Sequence, residues 1–199
     1  MATSRQNSAP PPDFSEPWKC SDVVLVVEDQ KFHVQRYTLA MWSPVFEKMF
    51  QAEFKEKNSR EIPLPGKKAS EIKELLLIIY LNIDGKAWNT VTDQNCHFLV
   101  KLAYEYQMKE ILKRCEDVLV NLVHSKPDNT FLDDLTFAQT YKLEKQLTAI
   151  VNRARELPLR DFKSHEMYDN MDPHIYKQIM EGIVENLESS LSSYNYYYR

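Results

Sequence analysis

The chain has 199 residues, 43% of them hydrophobic and 27% charged, with a net charge of −4. That is room for one substantial domain and a smaller appendage, and the acidic balance gives no electrostatic reason to expect nucleic acid. Three Gly against ten Pro argue against a glycine-loop nucleotide binder and for a helix-dominated fold. Cys20, Cys96 and Cys115 are odd in number and show no paired spacing. They read as the reduced thiols of an intracellular protein, cytoplasmic or nuclear. The longest apolar run, Leu75 to Leu81, is far too short to span a bilayer, and the N-terminus has no signal pattern.

In chain order, residues 1–18 are rich in Pro, Ser and Asn and are expected to form a disordered leader. Val23 to Val27 is a β-branched run followed by the polar turn Glu28-Asp29-Gln30, and Phe32 and Val34 then alternate with Lys31 and His33. The pattern predicts a hairpin whose first strand is buried on both faces and whose second is half exposed. Leu39, Ala40, Trp42, Val45, Phe46, Met49 and Phe50 fall at helical spacings, broken by Ser43-Pro44. Ser43 is placed to cap a second helix and Pro44 to occupy its first position.

A polar connection, 51–60, carries one aromatic, Phe54, before a short strand from Glu61 to Leu64 that Pro63 confines to a sheet edge or to a position with an unpaired N–H. Ser70 is read as the cap of a helix over Glu71 to Leu81, with Ile72, Leu75, Leu76, Ile79 and Tyr80 on its apolar face. A loop over 82–90 is anchored by Trp88. Thr92-Asp93 opens the next helix, with Phe98, Leu99, Leu102, Ala103 and Tyr106 inward. After Gln107-Met108 a further helix turns Ile111, Leu112, Cys115, Leu119 and Leu122 to the core.

An echo follows at an offset of 35 residues. Leu102-Ala103-x-x-Tyr106-x-Met108-x-x-x-Leu112 matches Phe137-Ala138-x-x-Tyr141-x-Leu143-x-x-x-Leu147, and Cys115 corresponds to Ile150. Both copies read as helix-turn-helix pairs, the second covering the face left open by the first. Leu157-Pro158 ends that pair, residues 159–171 form a short helix and a loop, and Asp172-Pro173 opens a last long helix. The Tyr-rich tail from Ser189 is expected to fray.

No catalytic constellation is present. His165-Glu166 lacks the second histidine of a metalloprotease helix, and no G-x-S-x-G or phosphate-cradling glycine loop occurs. The five histidines, at 33, 97, 124, 165 and 174, are scattered singly at surface-like positions. Cys96-His97 are adjacent, a poor chelating arrangement on a helix. Neither an enzyme, nor a cofactor, nor a bound metal is expected.

Ser21-Asp22-Val23, then Phe32, Leu39-Ala40, Ser43, Phe46 and Met49-Phe50, resemble the opening of a BTB/POZ domain. The chain departs from that pattern with Gln35 at the usual His position and Arg36 where Lys is common. The resemblance continues to about Val123. It implies an α+β, mostly helical fold: a small three-stranded sheet flanked by helical hairpins, then an all-α extension similar to a 3-box or the start of a BACK domain. The implied organisation is a leader over 1–18, a BTB/POZ domain over 19–124, a helical extension over 125–191 and a disordered tail over 192–199.

The resemblance also implies partners. A dimer is expected, with itself or with another BTB protein, and Asp22, Leu39, Ser43, Phe46 and Met49 are the matching core and dimer positions. Many relatives carry an extra swapped helix before the first strand. Nothing between Met1 and Lys19 fits one, so a smaller interface is expected. Phe54-Lys55-Glu56 resembles the hydrophobic-x-Glu motif of BTB proteins that bind cullin-3, with Phe54 and Glu56 as the finger. Tyr104, Tyr106 and Met108 would form the second half of that contact.

The alternative for Phe54 is that it folds back onto its own core. The implied function is a non-enzymatic, dimeric adaptor of a cullin-3 RING ubiquitin ligase. The other possibility is a BTB oligomerisation scaffold without cullin binding, in transcriptional or cytoskeletal assembly. The substrate protein is unknown. A MATH or kelch module does not fit in the leader or in the helices after Lys126, so recruitment would fall to the C-terminal helices, the tyrosine tail or a heterodimer partner.

Overall fold

Val23–Val27 forms β1 and Gln30–Val34 forms β2, paired antiparallel with Leu25 opposite Phe32 and Val23 opposite Val34. The structure, a computed structural model, describes residues 12–51, 59–81, 85–127 and 129–197. In β1, Val23, Leu25 and Val27 are buried while Val24 and Val26 are half-buried. The first strand therefore has one core face and one partly covered face, not the two buried faces its composition predicts. β3, Glu61–Pro63, lies parallel to β1 on its other side, giving the order β2-β1-β3. Pro63 sits on an edge strand, as its missing N–H requires, and Leu64 N–H continues the ladder to Val26 C=O at 2.9 Å.

The turn between β1 and β2 holds Glu28 at a φ of 52°. Its carboxylate reaches across to accept the N–H of Ala69 at 2.9 Å, the first residue of helix α3, Ala69–Ile79. The helix is thus capped from a distant turn rather than by Ser70, which lies inside it.

Helices α1, Arg36–Trp42, and α2, Pro44–Gln51, meet at Ser43. Its buried hydroxyl accepts the Phe46 N–H at 3.1 Å, the N-cap bond expected for α2, and donates to the Tyr106 C=O at 2.6 Å. Phe46 and Tyr106 stack with centroids 4.7 Å apart and planes 8° from parallel. Asp22 Oδ1 accepts the Arg36 N–H at 2.7 Å, satisfying a free donor at the start of α1.

Part of the leader is packed. Phe14 is buried edge-on against Tyr80 at 5.1 Å, and its C=O accepts the His33 N–H at 2.7 Å. Trp18 Nε1–H donates to the His33 C=O at 2.8 Å. The segment from Pro12 to Trp18 therefore covers the outer edge of β2, where the composition of 1–18 predicts a loose tail. Two aromatic rings and an unpaired strand edge outweigh the prolines.

α4, Cys96–Glu105, starts later than Thr92-Asp93. The Thr92 C=O accepts the Cys96 N–H, and buried Asn95 links Thr92 N–H, Thr90 C=O and Glu74 at 2.8 to 3.0 Å. α5, Lys109–Ser125, buries Ile111, Cys115, Leu119 and Val123, while Leu112 and Leu122 are half-buried. The chain divides into two compact units, Met1–Leu112 and Lys113–Arg199.

The 35-residue echo carries the same helix stop in α4–α5 and α6–α7, where α6 is Leu135–Thr140 and α7 Glu144–Ala154. Gln107 and Lys142 both sit at φ 55°. Met108 N–H bonds Ala103 C=O at 2.8 Å and Leu143 N–H bonds Ala138 C=O at 2.9 Å; Gln107 N–H bonds Tyr104 C=O and Lys142 N–H bonds Gln139 C=O, both at 3.3 Å. These are paired Schellman stops, each followed by a buried residue, Met108 or Leu143. The echo fails at one core position. Ile111 corresponds to Gln146, which is fully buried with neither its Oε1 nor its Nε2 hydrogen-bonded.

In the second unit Arg153 donates to the carbonyls of Val123 and Lys126 and lies 4.3 Å over the Phe131 ring. α8, Leu159–Lys163, is followed by a 3-10 turn over Glu166–Asn170. His165 is not a surface residue: Nδ1 accepts the Met167 N–H, and Nε2 lies 3.2 Å from Asp133. α9, Pro173–Tyr197, is capped by Asp172, whose carboxylate accepts the N–H of His174 and Ile175. It continues through Tyr197, past the Ser189 fraying point predicted from composition. Arg155 packs over Gly182 within it: a Cβ there would lie 2.4 Å from the Arg155 side chain, which would have to move. The whole is α+β and mostly helical, a small three-stranded sheet with helical hairpins followed by a helical region.

Two substitutions test this packing by chemical denaturation. Gln146→Leu should stabilise the chain by about 1 to 2 kcal/mol, since it removes two buried unpaired polar groups. Ser43→Ala should destabilise it by about 2 to 4 kcal/mol, from a lost cap and an orphaned buried carbonyl.

Candidate protein-interaction surface

α1 is short and apolar nearly all round. Leu39 points into the core, and Tyr37 and Met41, one turn apart on the other side, are 77% and 65% exposed. Two large apolar side chains on one helix face form a surface that water solvates poorly. Of the core and dimer positions read from the sequence, Leu39, Ser43 and Phe46 are buried inside the unit and Met49 is half-buried, whereas Asp22 is exposed and caps α1. The first three serve the core and cannot touch a second copy. Tyr37 and Met41 are the surface residues the sequence reading missed. Their i, i+4 spacing was available, but so many residues of α1 are apolar that periodicity alone gives no inward side.

A second exposed feature lies at the α4–α5 corner. Tyr104 is 41% exposed and borders a shallow hollow of about 390 Å³ with Ala103, Gln107, Lys109 and Leu112. Tyr106 and Met108, expected to join Tyr104 in a partner contact, are instead buried. Tyr106 stacks on Phe46 as the C-cap of α4, and Met108 follows the left-handed Gln107 into the core. Residues two apart on a helix point roughly 160° away from each other, so Tyr104 and Tyr106 cannot share a face. Burial pushes the Tyr106 phenol well above the usual tyrosine range, with Glu105 adding to the shift.

Phe54 and Glu56 lie outside the described residues. The two residues that bracket their segment, Phe50 and Ser59, are both held by Arg36. Its guanidinium lies 4.9 Å over the Phe50 ring and donates to the Ser59 C=O. Lys67 and Glu105 pair at 2.8 Å near the end of α4.

Among the described residues, no group of three or more His, Cys, Asp or Glu side chains could hold a metal ion, and no helix is long and apolar enough to cross a membrane.

Compared with known proteins, residues 13–122 match the BTB/POZ domain family. The match begins within the packed segment from Pro12 to Trp18. BTB and MATH domain-containing protein 36 of Caenorhabditis elegans is 28% identical over 169 residues, covering 84% of this chain and 50% of that protein. Kelch repeat and BTB domain-containing protein 12 of Homo sapiens is 32% identical over 100 residues, 50% of this chain and 15% of that protein. Among solved structures, the BTB domain of zebrafish PATZ1 aligns at 21% identity and a TM-score of 0.40, covering 50% of this chain and 75% of that one. The chain spans half or less of the length of these two curated relatives.

The division between Tyr104 and Tyr106 has a direct consequence for stability. Tyr104→Ala should leave the unfolding free energy within about 0.5 kcal/mol of the native chain, while Tyr106→Ala should cost about 3 to 5 kcal/mol in the same urea titration.

Proposed function

The chain belongs to the BTB/POZ domain family, and from that premise we propose that it is a non-enzymatic, dimeric adaptor joining a cullin-3 RING ubiquitin ligase to a substrate protein. In this reading residues 19–124 are the docking domain and 125–191 a helical extension. Phe54 is the aromatic anchor, Glu56 its acidic companion and Tyr104 the second contact, with Tyr106 and Met108 supporting from within. The protein works in the cytoplasm or nucleus.

The observation that carries the reading is the exposed Tyr104 beside an apolar hollow, on a corner fixed from behind by the Phe46–Tyr106 stack. A rigid aromatic at the rim of a hollow is the kind of residue that dominates a binding energy. Arg36 adds to it by holding both Phe50 and Ser59, at either end of the segment with Phe54 and Glu56. Kelch and MATH proteins that share the domain fit an adaptor role. The substrate would be recruited by the C-terminal helices, the tyrosine tail or a heterodimer partner.

The exposed Tyr37 and Met41 favour a second reading, self-assembly without a cullin, as a scaffold. Calorimetry with the cullin-3 N-terminal region separates the two. Phe54→Ala should weaken binding about thirtyfold, corresponding to roughly 2 kcal/mol, and Glu56→Ala and Tyr104→Ala should each weaken it measurably. The double change Tyr37→Glu, Met41→Glu should give monomers by sedimentation that still bind the cullin. A native chain that dimerises but binds no cullin would leave the scaffold as the function.

A further inference from the structure

In the first unit, a hollow of about 380 Å³ opens beside the packed leader, separate from the Tyr104 corner and from the Tyr37–Met41 face. Phe14, Trp18, Tyr80 and Trp88 wall it, and Asp13 and Glu16 stand at its rim. Tyr80 is the shared wall: Phe14 meets it at 62° and Trp18 at 78°, with centroids 5.1 and 6.3 Å away.

Two of the rings are tied at their polar ends to the β2–α1 segment. Trp18 Nε1–H donates to the His33 C=O, and Tyr80 Oη accepts the Gln35 N–H at 2.8 Å. Burial raises the Tyr80 pKa, so the phenol stays neutral. Asp13 stays ionised, its pKa lowered chiefly by the backbone N–H and hydroxyl of Ser15; Lys73 on α3 is the cation close enough to add to that. Phe14 and Tyr80 are nearly covered, Trp18 and Trp88 keep accessible aromatic surface, and the rim presents carboxylates.

That chemistry selects among occupants. A proline-rich strand is uncharged and would leave both rim carboxylates without a partner. A phosphate or an acidic peptide would meet Asp13 and Glu16. A cation on a long apolar stem suits both kinds of group. Guanidinium suits them better than ammonium, because its flat face stacks on aromatic rings, its N–H fork matches carboxylates and it is more weakly hydrated. The volume is near the small end of ordinary ligand sites, enough for one long side chain. We propose that this hollow is a docking site for an arginine side chain of a peptide segment in a partner protein.

The test is a titration of the full chain with N-acetyl-Gly-Arg-Gly-amide, followed by the indole N–H signals of its three tryptophans in nuclear magnetic resonance. The Trp18 and Trp88 signals should shift and saturate with a dissociation constant of about 1 mM, while Trp42, which does not line the hollow, stays still. The citrulline peptide, equal in shape and uncharged, should bind about tenfold more weakly, and the lysine peptide several-fold more weakly. Asp13→Asn combined with Glu16→Gln changes only exposed side chains and should weaken the arginine peptide about tenfold. The proposal is overturned if the arginine peptide gives no saturable shift, if citrulline or lysine binds as well as arginine, or if the double variant binds unchanged. Since Phe54→Ala should leave these shifts intact, the result is independent of cullin binding.

Discussion

The Ser43 hydroxyl is the joint on which the first unit turns. It accepts the Phe46 N–H and donates to the Tyr106 carbonyl, so one buried side chain both starts α2 and holds the end of α4. The bond also sets the facing of a longer stretch. With the Tyr106 carbonyl tied to Ser43 and its ring on Phe46, the helical turn puts Tyr104 outside and the next left-handed residue, Gln107, sends Met108 inward. The exposed Tyr104 corner then lies directly over a packed core, where its geometry costs little to maintain.

The same stop recurs 35 residues later with the same φ and the same two backbone bonds, although the ring partner there differs. Tyr141 packs on Phe137 of its own helix at 4.7 Å, whereas Tyr106 stacks on Phe46 of α2. What the two copies conserve is therefore the backbone device, a Schellman turn followed by a buried apolar residue. The residues around it vary with what each copy must cover. Gln146 in the place of Ile111 is the clearest divergence, and its cost falls on stability rather than on the turn.

Local chemistry explains which features could be read from the sequence. Ser43-Pro44 and Asp172-Pro173 announce caps because the bond runs to a donor two or three residues away. The strand pair, the edge position of β3 and the echo rest likewise on short-range pattern. The missed features all depend on distant partners. Glu28 caps α3 across 41 residues, and nothing beside Ala69 signals it; Ser70 is a reasonable cap by local rules and loses to it. Phe14 and Trp18 pack because β2 offers an edge at His33, which a proline-rich composition cannot reveal. For the candidate site, the hairpin corner was legible but its facing was not. The reading took Tyr104, Tyr106 and Met108 as one surface; the helical angle turns Tyr106 away from Tyr104, and the left-handed Gln107 sends Met108 inward.

Gln35 and Arg36, where the sequence differs from the BTB/POZ pattern it resembles, each make contacts of their own. The contact with Asp22 is made by the Arg36 backbone N–H and would survive either side chain. Gln35 supplies its backbone N–H to Tyr80 and its amide oxygen to Thr38, so it stiffens the start of α1 without an imidazole. The Arg36 side chain does what a lysine cannot do equally well. A planar guanidinium stacks on Phe50 while donating in its own plane to the Ser59 carbonyl, whereas an ammonium is a compact point charge without a face to stack. Phe50 ends the second core helix and Ser59 leads into β3, so this one side chain fixes the distance between two elements that the sheet alone does not connect. Arg36 thus braces both ends of the segment that bears Phe54 and Glu56.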